Sequence, residues 1–340
     1  GDTIKVPVAP TRAATDFTPA ATTAAGTDAT ATTTDVLITA SKKTSWNITG
    51  EQLRSLENAQ ADNTWFEQLL MQGMRVLRNS AEAEAWAAGI AGASRAYGTA
   101  GTTPFASTLA DLTNARKILQ DNGAPLADLH YVCDTNAGLN LRNLGVFQNA
   151  YQAGNEQERR TGRFLPQVGF NIAESAQVST HTAGTASGAT TDNTGYAIGT
   201  TTLTLASAGT GTILAGDVIT FAGDTNKYVV VTGDADVSNG GTITIAAPGL
   251  RVAMSAATKA ITMIATWTGN LALERSAIVG IMRPPIMPAN PTINQQLISD
   301  ERGMTYLLLD IAQYGMRSLE LHLAYGFKTV NGEFSAISLG

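Results

Sequence analysis

Cysteine is nearly missing from this 340-residue chain, where Cys133 stands alone. One thiol excludes an intrachain disulfide and any multi-thiolate metal site, and it fits folding in a reducing cytoplasm. Histidine is almost as scarce at three residues, so the sequence holds no clustered imidazole ligands. Charge is sparse: 15% of residues are Asp, Glu, Lys or Arg, with a net of −6. Gripping nucleic acid needs clustered Lys and Arg to neutralise phosphates, and that pattern is missing. No apolar run approaches the roughly 20 residues that cross a bilayer, and Gly1–Lys5 begins no signal-peptide stretch, so no membrane partner is expected. There is also no Gly-rich phosphate loop closing on Lys-Ser/Thr and no Gly-x-Ser-x-Gly elbow. The expectation is therefore a non-enzyme without catalytic residues, cofactor or metal.

What is present is apolar mass. Hydrophobic residues make up 44% of the chain, enough for a sizeable core, and the low charge leaves a surface better suited to being covered than to facing water. At this length a single core is unusual, so two or more folding units are expected.

Alternation in Thr3–Val8, ending among Pro7 and Pro10, predicts a short edge strand. Residues 13–34 are almost wholly Ala and Thr, with too little apolar bulk to fold on themselves. Strand-like Val36–Thr39 and Ser45–Ile48 follow, so the whole predicts an extended β-loop. Thr64-Trp65-Phe66-Glu67 has the spacing of a capping box. From Phe66 through Leu69, Leu70, Met74, Leu77, Ala81, Ala85 and Ala88 the apolar positions recur every three or four residues. One long helix from Thr64 to about Ala96 is predicted. A second helix over Ser107–Gln120, a buried strand at Leu129–Cys133 and a helix over 134–144 capped by Asp134 complete an α/β unit.

From Ser179 the composition turns to Thr, Gly and Ala, with short alternating segments at 202–205, 217–221, 227–232, 242–245 and 261–264. Even spacing with Gly-rich turns predicts a small all-β module. The flanks resume the α/β character, which makes the module an insertion. Late strands are expected over Arg317–Phe327 and Phe334–Leu339.

Few residues invite chemistry. His130 lies near Cys133 and Asp134, but a strand sets positions 130 and 133 on opposite faces. His181 and His322 have no second ligand at metal spacing. Asp234-Ala235-Asp236-Val237-Ser238-Asn239-Gly240 starts like a calcium loop, yet its Gly falls one place late and Ile245 occupies the position of the bidentate Glu, so a β-turn is the better reading.

In this order the parts resemble the Hong Kong 97-type capsid fold of tailed bacteriophages. Local strings sharpen the resemblance toward the branch, found in short-tailed Salmonella phages, that carries an inserted β domain. They are Thr3–Val8 (TIKVPV), Gly216–Gly223 (GDVITFAG), Leu323–Gly326 (LAYG) and Glu333–Gly340. The resemblance implies an α+β fold divided into an N-terminal strand and extended loop (1–61), a spine helix (62–100), an axial α/β domain in two parts (101–178 and 265–300), the inserted β domain (179–264) and a return segment with C-terminal strands (301–340). It further implies a major capsid protein forming pentamers and hexamers of an icosahedral head around double-stranded DNA, held without sequence-specific contacts. The expected partners are other copies of itself, a scaffolding protein, a portal and a decoration protein. Assembly in the bacterial host cytoplasm and residence in the virion follow. Candidate intersubunit contacts are Thr15, Asp16, Phe17 and Asp28 in the loop, Lys42 and Lys43 on its return, and the mixed-sign cluster Glu156, Arg159, Arg160 and Arg163. Two alternatives stay open: an encapsulin-like compartment shell, and a secreted β-rich adhesin or tail-fibre protein.

Overall fold

The alternation of TIKVPV forms β1 (Thr3–Val8), which pairs antiparallel with β2 (Thr32–Leu37) in the register Thr3↔Leu37 to Val8↔Thr32. The computed structural model describes residues 2–9, 16, 19, 32–58, 62–145, 161, 162, 164, 166–288 and 293–340. β3 (Ala40–Thr49) follows, then α1 (Gly50–Asn58) and α2 (Asp62–Gly92).

The helix starts correct the sequence reading. The reciprocal capping box lies at Thr49–Gln52: the Gln52 N–H donates to Thr49 Oγ1 at 3.3 Å and the Thr49 N–H donates to Gln52 Oε1 at 3.1 Å. These bonds occupy N–H groups that a helix start leaves free. They open α1, whose apolar side is only the half-buried pair Leu53 and Leu56, with no residue fully buried. α2 begins at Asp62, two residues before the expected Thr64, and ends at Gly92 rather than near Ala96. There the Ser94 N–H donates to Ser335 O, and β4 (Arg95–Gly98) runs parallel to the last strand of the chain. Sheet pairing stops the helix before its own propensity does.

α3 (Ala110–Asp121) starts three residues later than expected. Asp111 Oδ2 accepts the Phe105 N–H at 2.8 Å and Thr108 Oγ1 accepts the Ala110 N–H at 3.3 Å, which holds 105–109 as a turn. Gly123, at φ +80°, ends the element in the left-handed region that glycine adopts without strain. β5 (Leu129–Cys133) leads to α4 (Thr135–Asn143), where Asp134 accepts from the N–H groups of Ala137 and Asn136 as expected of an N-cap. β6 (Phe170–Glu174) then lies parallel to β5.

The Thr- and Gly-rich stretch forms β7 (Thr180–His181), β8 (Thr202–Leu205), β9 (Val218–Phe221), β10 (Lys227–Thr232), β11 (Gly241–Ile245) and β12 (Ile261–Met263). Inward positions of these strands, among them Leu203, Ile219, Phe221, Tyr228, Ile243 and Ile245, form one buried core. The chain returns through β13 (Trp267–Glu274), β14 (Ile278–Arg283), β15 (Ile293–Ser299), β16 (Thr305–Gln313), β17 (Met316–Thr329) and β18 (Ser335–Leu339).

Two large sheets organise these strands into a mixed α+β molecule. The central sheet runs β12-β9-β10-β4-β18-β13-β5-β6 and is parallel only at β18–β4 and β5–β6. The β-rich stretch is hydrogen-bonded into it, because β10 pairs with β4 through Lys227↔Ala96 and Tyr228↔Arg95. The second sheet runs β14-β17-β16-β15, with β3 on the other edge of β17. α2 lies on it through Leu77 and Ala81 against Tyr306, Leu321, Leu323 and Tyr325. Close approach selects glycine here: a Cβ at Gly73 would strike the Trp46 ring, and one at Gly92 would strike Thr329. Each fully buried Leu of this seam contributes about 1.5–3 kcal/mol.

Candidate functional site

Unpaired strands and exposed apolar side chains surround the second sheet among the described residues. The β1–β2 ribbon pairs with nothing further among the described residues, and it exposes Ile4 and Leu37. Backbone N–H and C=O groups along such a ribbon remain open to another strand. The base of the ribbon is anchored firmly. Val36 is fully buried, Lys328 Nζ donates to Asp35 O at 3.2 Å, and Arg283 pairs with Asp2 at 2.5 Å. The Arg283 guanidinium, by hydrogen bond and charge, lowers the pKa of Asp2 below the usual carboxylate range. Gly326 lies under the ribbon where a side chain would run into the Leu37 carbonyl oxygen.

One further open sheet edge and two exposed apolar side chains lie about the second sheet. β15 pairs only with β16 among the described residues and leaves Leu297 65% exposed. The two-residue turn Tyr314–Gly315 between β16 and β17 projects Tyr314 wholly into solvent, with Gly315 at φ +65°. Ile286, after β14, is 87% exposed. Sequence reading missed these three positions. The pair Tyr-Gly between alternating apolar runs was the available signal for the turn. The β16–β17 hairpin is stiffened by Arg317, which donates to both Asp310 oxygens at 2.8 and 2.7 Å and lies over the Phe66 ring at 5.3 Å.

Lys43 is brought to a specific partner, its Nζ donating to Glu320 at 2.8 Å, while His322 meets the same carboxylate at 2.9 Å. Burial raises the Glu320 pKa, but the hydrogen bonds from Lys43 and His322 outweigh it and leave the group below its ordinary 4.5. Lys42 is exposed on β3, and Asp16 is exposed as well. Thr15, Phe17, Asp28, Glu156, Arg159, Arg160 and Arg163 lie outside the described residues, as does most of the Ala- and Thr-rich stretch 13–34.

The residues that invited chemistry have structural partners. His130 meets Asp128 at 2.9 Å at the surface, and Cys133 is buried, its thiol pushed up to about 12 by desolvation, which leaves it un-ionised at neutral pH. His181 meets the fully buried Asp217 at 2.9 Å and stacks near Trp267. Asp217 also accepts the Leu214 and Gly184 N–H groups, so it ties β7 to the turn before β9. In 234–240 the Asp236 carboxylate accepts the Ser238 N–H at 3.1 Å and caps a short turn that Gly240 closes at φ +78°. No group of three or more His, Cys, Asp or Glu is placed to hold a metal among the described residues. No helix among the described residues is long and apolar enough to cross a membrane.

No protein-family profile matches the sequence, and no curated protein does either. Solved structures do match over the full length. A chain from Mycobacterium phage Che8 has a TM-score of 0.53 at 12% identity, covering 99% of this chain and 84% of that one. A chain from the capsid structure of cyanophage P-SCSP1u has a TM-score of 0.50 at 11% identity, covering 100% of this chain and 83% of that one. At such identities the likeness is one of fold: this chain folds as a phage capsid chain does.

Proposed function

We propose that this chain is the major capsid protein of a tailed bacteriophage, with the Hong Kong 97-type fold, and that residues 179–264 are its inserted β domain. The observation that carries this reading is the shared fold with a chain of a phage capsid, which runs from one end of this chain to the other. The open ribbon, the open β15 edge and the exposed Tyr314, Leu297 and Ile286 support it, because a shell subunit must leave such edges for its neighbours.

In this reading copies form pentamers and hexamers around double-stranded DNA, with a scaffolding protein, a portal and a decoration protein as further partners, and assembly takes place in the host cytoplasm. The subunit acts by geometry and performs no catalysis. α2 braces each sheet while the ribbon reaches a neighbour, and Thr15, Asp16, Phe17 and Asp28 make contacts along its reach. Lys42 and Lys43 lie at its return, and Glu156, Arg159, Arg160 and Arg163 contact the next subunit within a capsomer. Ordering an Ala- and Thr-rich segment costs conformational entropy, which strand pairing with a neighbour offsets.

Negative-stain electron microscopy of the expressed protein, with and without neighbouring phage gene products, tests the reading. Closed icosahedral shells or capsomer sheets are the expected result. A species that stays monomeric or trimeric with a scaffolding partner present would overturn it. Protease cleavage within 15–34 should be suppressed in assembled particles relative to free subunits, and equal cleavage in both would remove the role given to the loop.

A further inference from the structure

A cavity of about 350 Å³ opens where β4, α3 and the turn before β10 meet. It is lined by three cations from three elements, Arg95, Lys117 and Lys227, with the neutral side chains Asn114, Asn226 and Thr225 between them. Arg95 is 5% exposed. Its guanidinium donates to Asn226 Oδ1 at 3.2 Å, Asn122 Oδ1 at 3.1 Å and Ile118 O at 3.4 Å, while its buried Nε–H has no partner among the described residues. Lys227 donates to the Gly98 carbonyl oxygen and has no carboxylate within salt-bridge distance among the described residues. Arg251 lies outside the lining, with Nη2 on Asp121 O at 3.3 Å, and its charge acts on Arg95.

The acids nearby do not balance this. Asp121 serves both Lys117, at 2.6 Å, and Arg95, at 3.8 Å. Asp224 is taken by the Tyr228 hydroxyl and by Asn226. Three cations therefore line the cavity with no carboxylate among its lining residues, in a chain whose overall charge is negative. Like charges gathered in a partly buried space repel one another and lose hydration, and an anion among them relieves both costs. Burial, followed by the charge of Arg251, lowers the pKa of Arg95, and burial lowers that of Lys227, the directions expected of cations short of counter-charge.

We propose that this cavity is an oxyanion-binding site, taking a phosphate-type ion or a carboxylate between Arg95, Lys117 and Lys227. Its position gives the bound ion a structural role. The β-rich stretch joins the central sheet here through the two-residue pairing of β10 with β4, and the anion would clasp Lys227 on one side of that seam to Arg95 and Lys117 on the other. The inference is independent of the capsid reading.

The test is thermal melting of the purified full-length protein, titrated with inorganic phosphate or with acetate at constant ionic strength, beside Lys227→Gln and Lys117→Gln. The Lys117 side chain is 69% exposed, so its variant keeps the fold. The expected result is a saturable rise in melting temperature with an apparent affinity about tenfold weaker in each variant, and slower amide exchange at Lys227 and Tyr228 when the anion is bound. Saturation by phosphate identifies a phosphate-type ligand, and saturation by acetate alone identifies a carboxylate; either supports the site. A rise that never saturates is general salting-out, and that outcome, or equal affinities in wild type and variants, would overturn the proposal.

Discussion

The β-rich stretch 180–263 and the unit built by α2 with the second sheet solve opposite problems. The first turns the apolar positions of strands of two to six residues inward around Phe221, Tyr228 and Ile243, and joins the rest through two-residue pairings of β10 with β4 and of β7 with β13 and through Val218 and Val229, which pack with Ile90 of α2, Trp267 and Ile337. The second has strands of up to fourteen residues and a seam from Leu77 to Tyr325, yet among the described residues leaves a ribbon and a sheet edge unpaired. A region that buries its own apolar face can serve as a stable block, whereas one that holds edges open is built for company.

The largest expected effect comes at the base of the ribbon. Gly326→Val should displace the Leu37 carbonyl and misdirect β1–β2, so assembly into particles should be lost while circular dichroism of the subunit stays near wild type. Normal particles from this variant would break the contrast. Cavity-forming changes sharpen it next. Leu321→Ala in the spine seam should cost about 2–5 kcal/mol and lower the urea midpoint of the molecule as a whole. Ile243→Ala should cost a similar amount, about 2–5 kcal/mol, but amide exchange should rise within 180–263 and leave α2 protected. Exchange spreading to α2 would show that the β10–β4 and β7–β13 pairings, with the packing of Val218 and Val229 against Ile90, couple the two units.

Smaller effects lie at the ion pairs of the second sheet. Arg317→Ala removes the two bonds to Asp310 and the stacking on Phe66. Both partners are part-exposed, so about 1 kcal/mol is expected from chemical denaturation. Glu320 gives the smallest. Its folded pKa lies below 4.5, so the stabilisation it contributes is present above that value and is lost as pH falls through the folded pKa. Wild type should lose more stability than Glu320→Gln between pH 6 and pH 3. Parallel losses would show that Lys43 and His322 do not favour the charged form.

Local pattern was the legible part of this fold. The period of two in Thr3–Val8 and in 202–205, the stripe from Phe66 to Ala88 and the Asp134 cap all report on residues close in sequence. The reading failed where the signal was weak or remote. α1 is a nine-residue helix whose apolar side is only Leu53 and Leu56, and its capping box at Thr49–Gln52 lies outside the string at Thr64 that matched the pattern. Of the candidate contact residues, Lys43 has a partner, Glu320, that lies 277 positions away, and no local pattern announces it.

By itself the sequence determined that this chain has a single thiol, a long amphipathic helix, a Thr- and Gly-rich β stretch and few charged residues, because composition and periodicity act through neighbours a few residues apart. Tertiary structure alone decided that α2 yields at Gly92 to pairing with β18, that the β-rich stretch shares a sheet with the central strands, and that Arg95, Lys117 and Lys227 converge on one cavity. Those outcomes depend on hydrogen bonds and charges between segments far apart in the chain, whose meeting is fixed only when the whole core has formed.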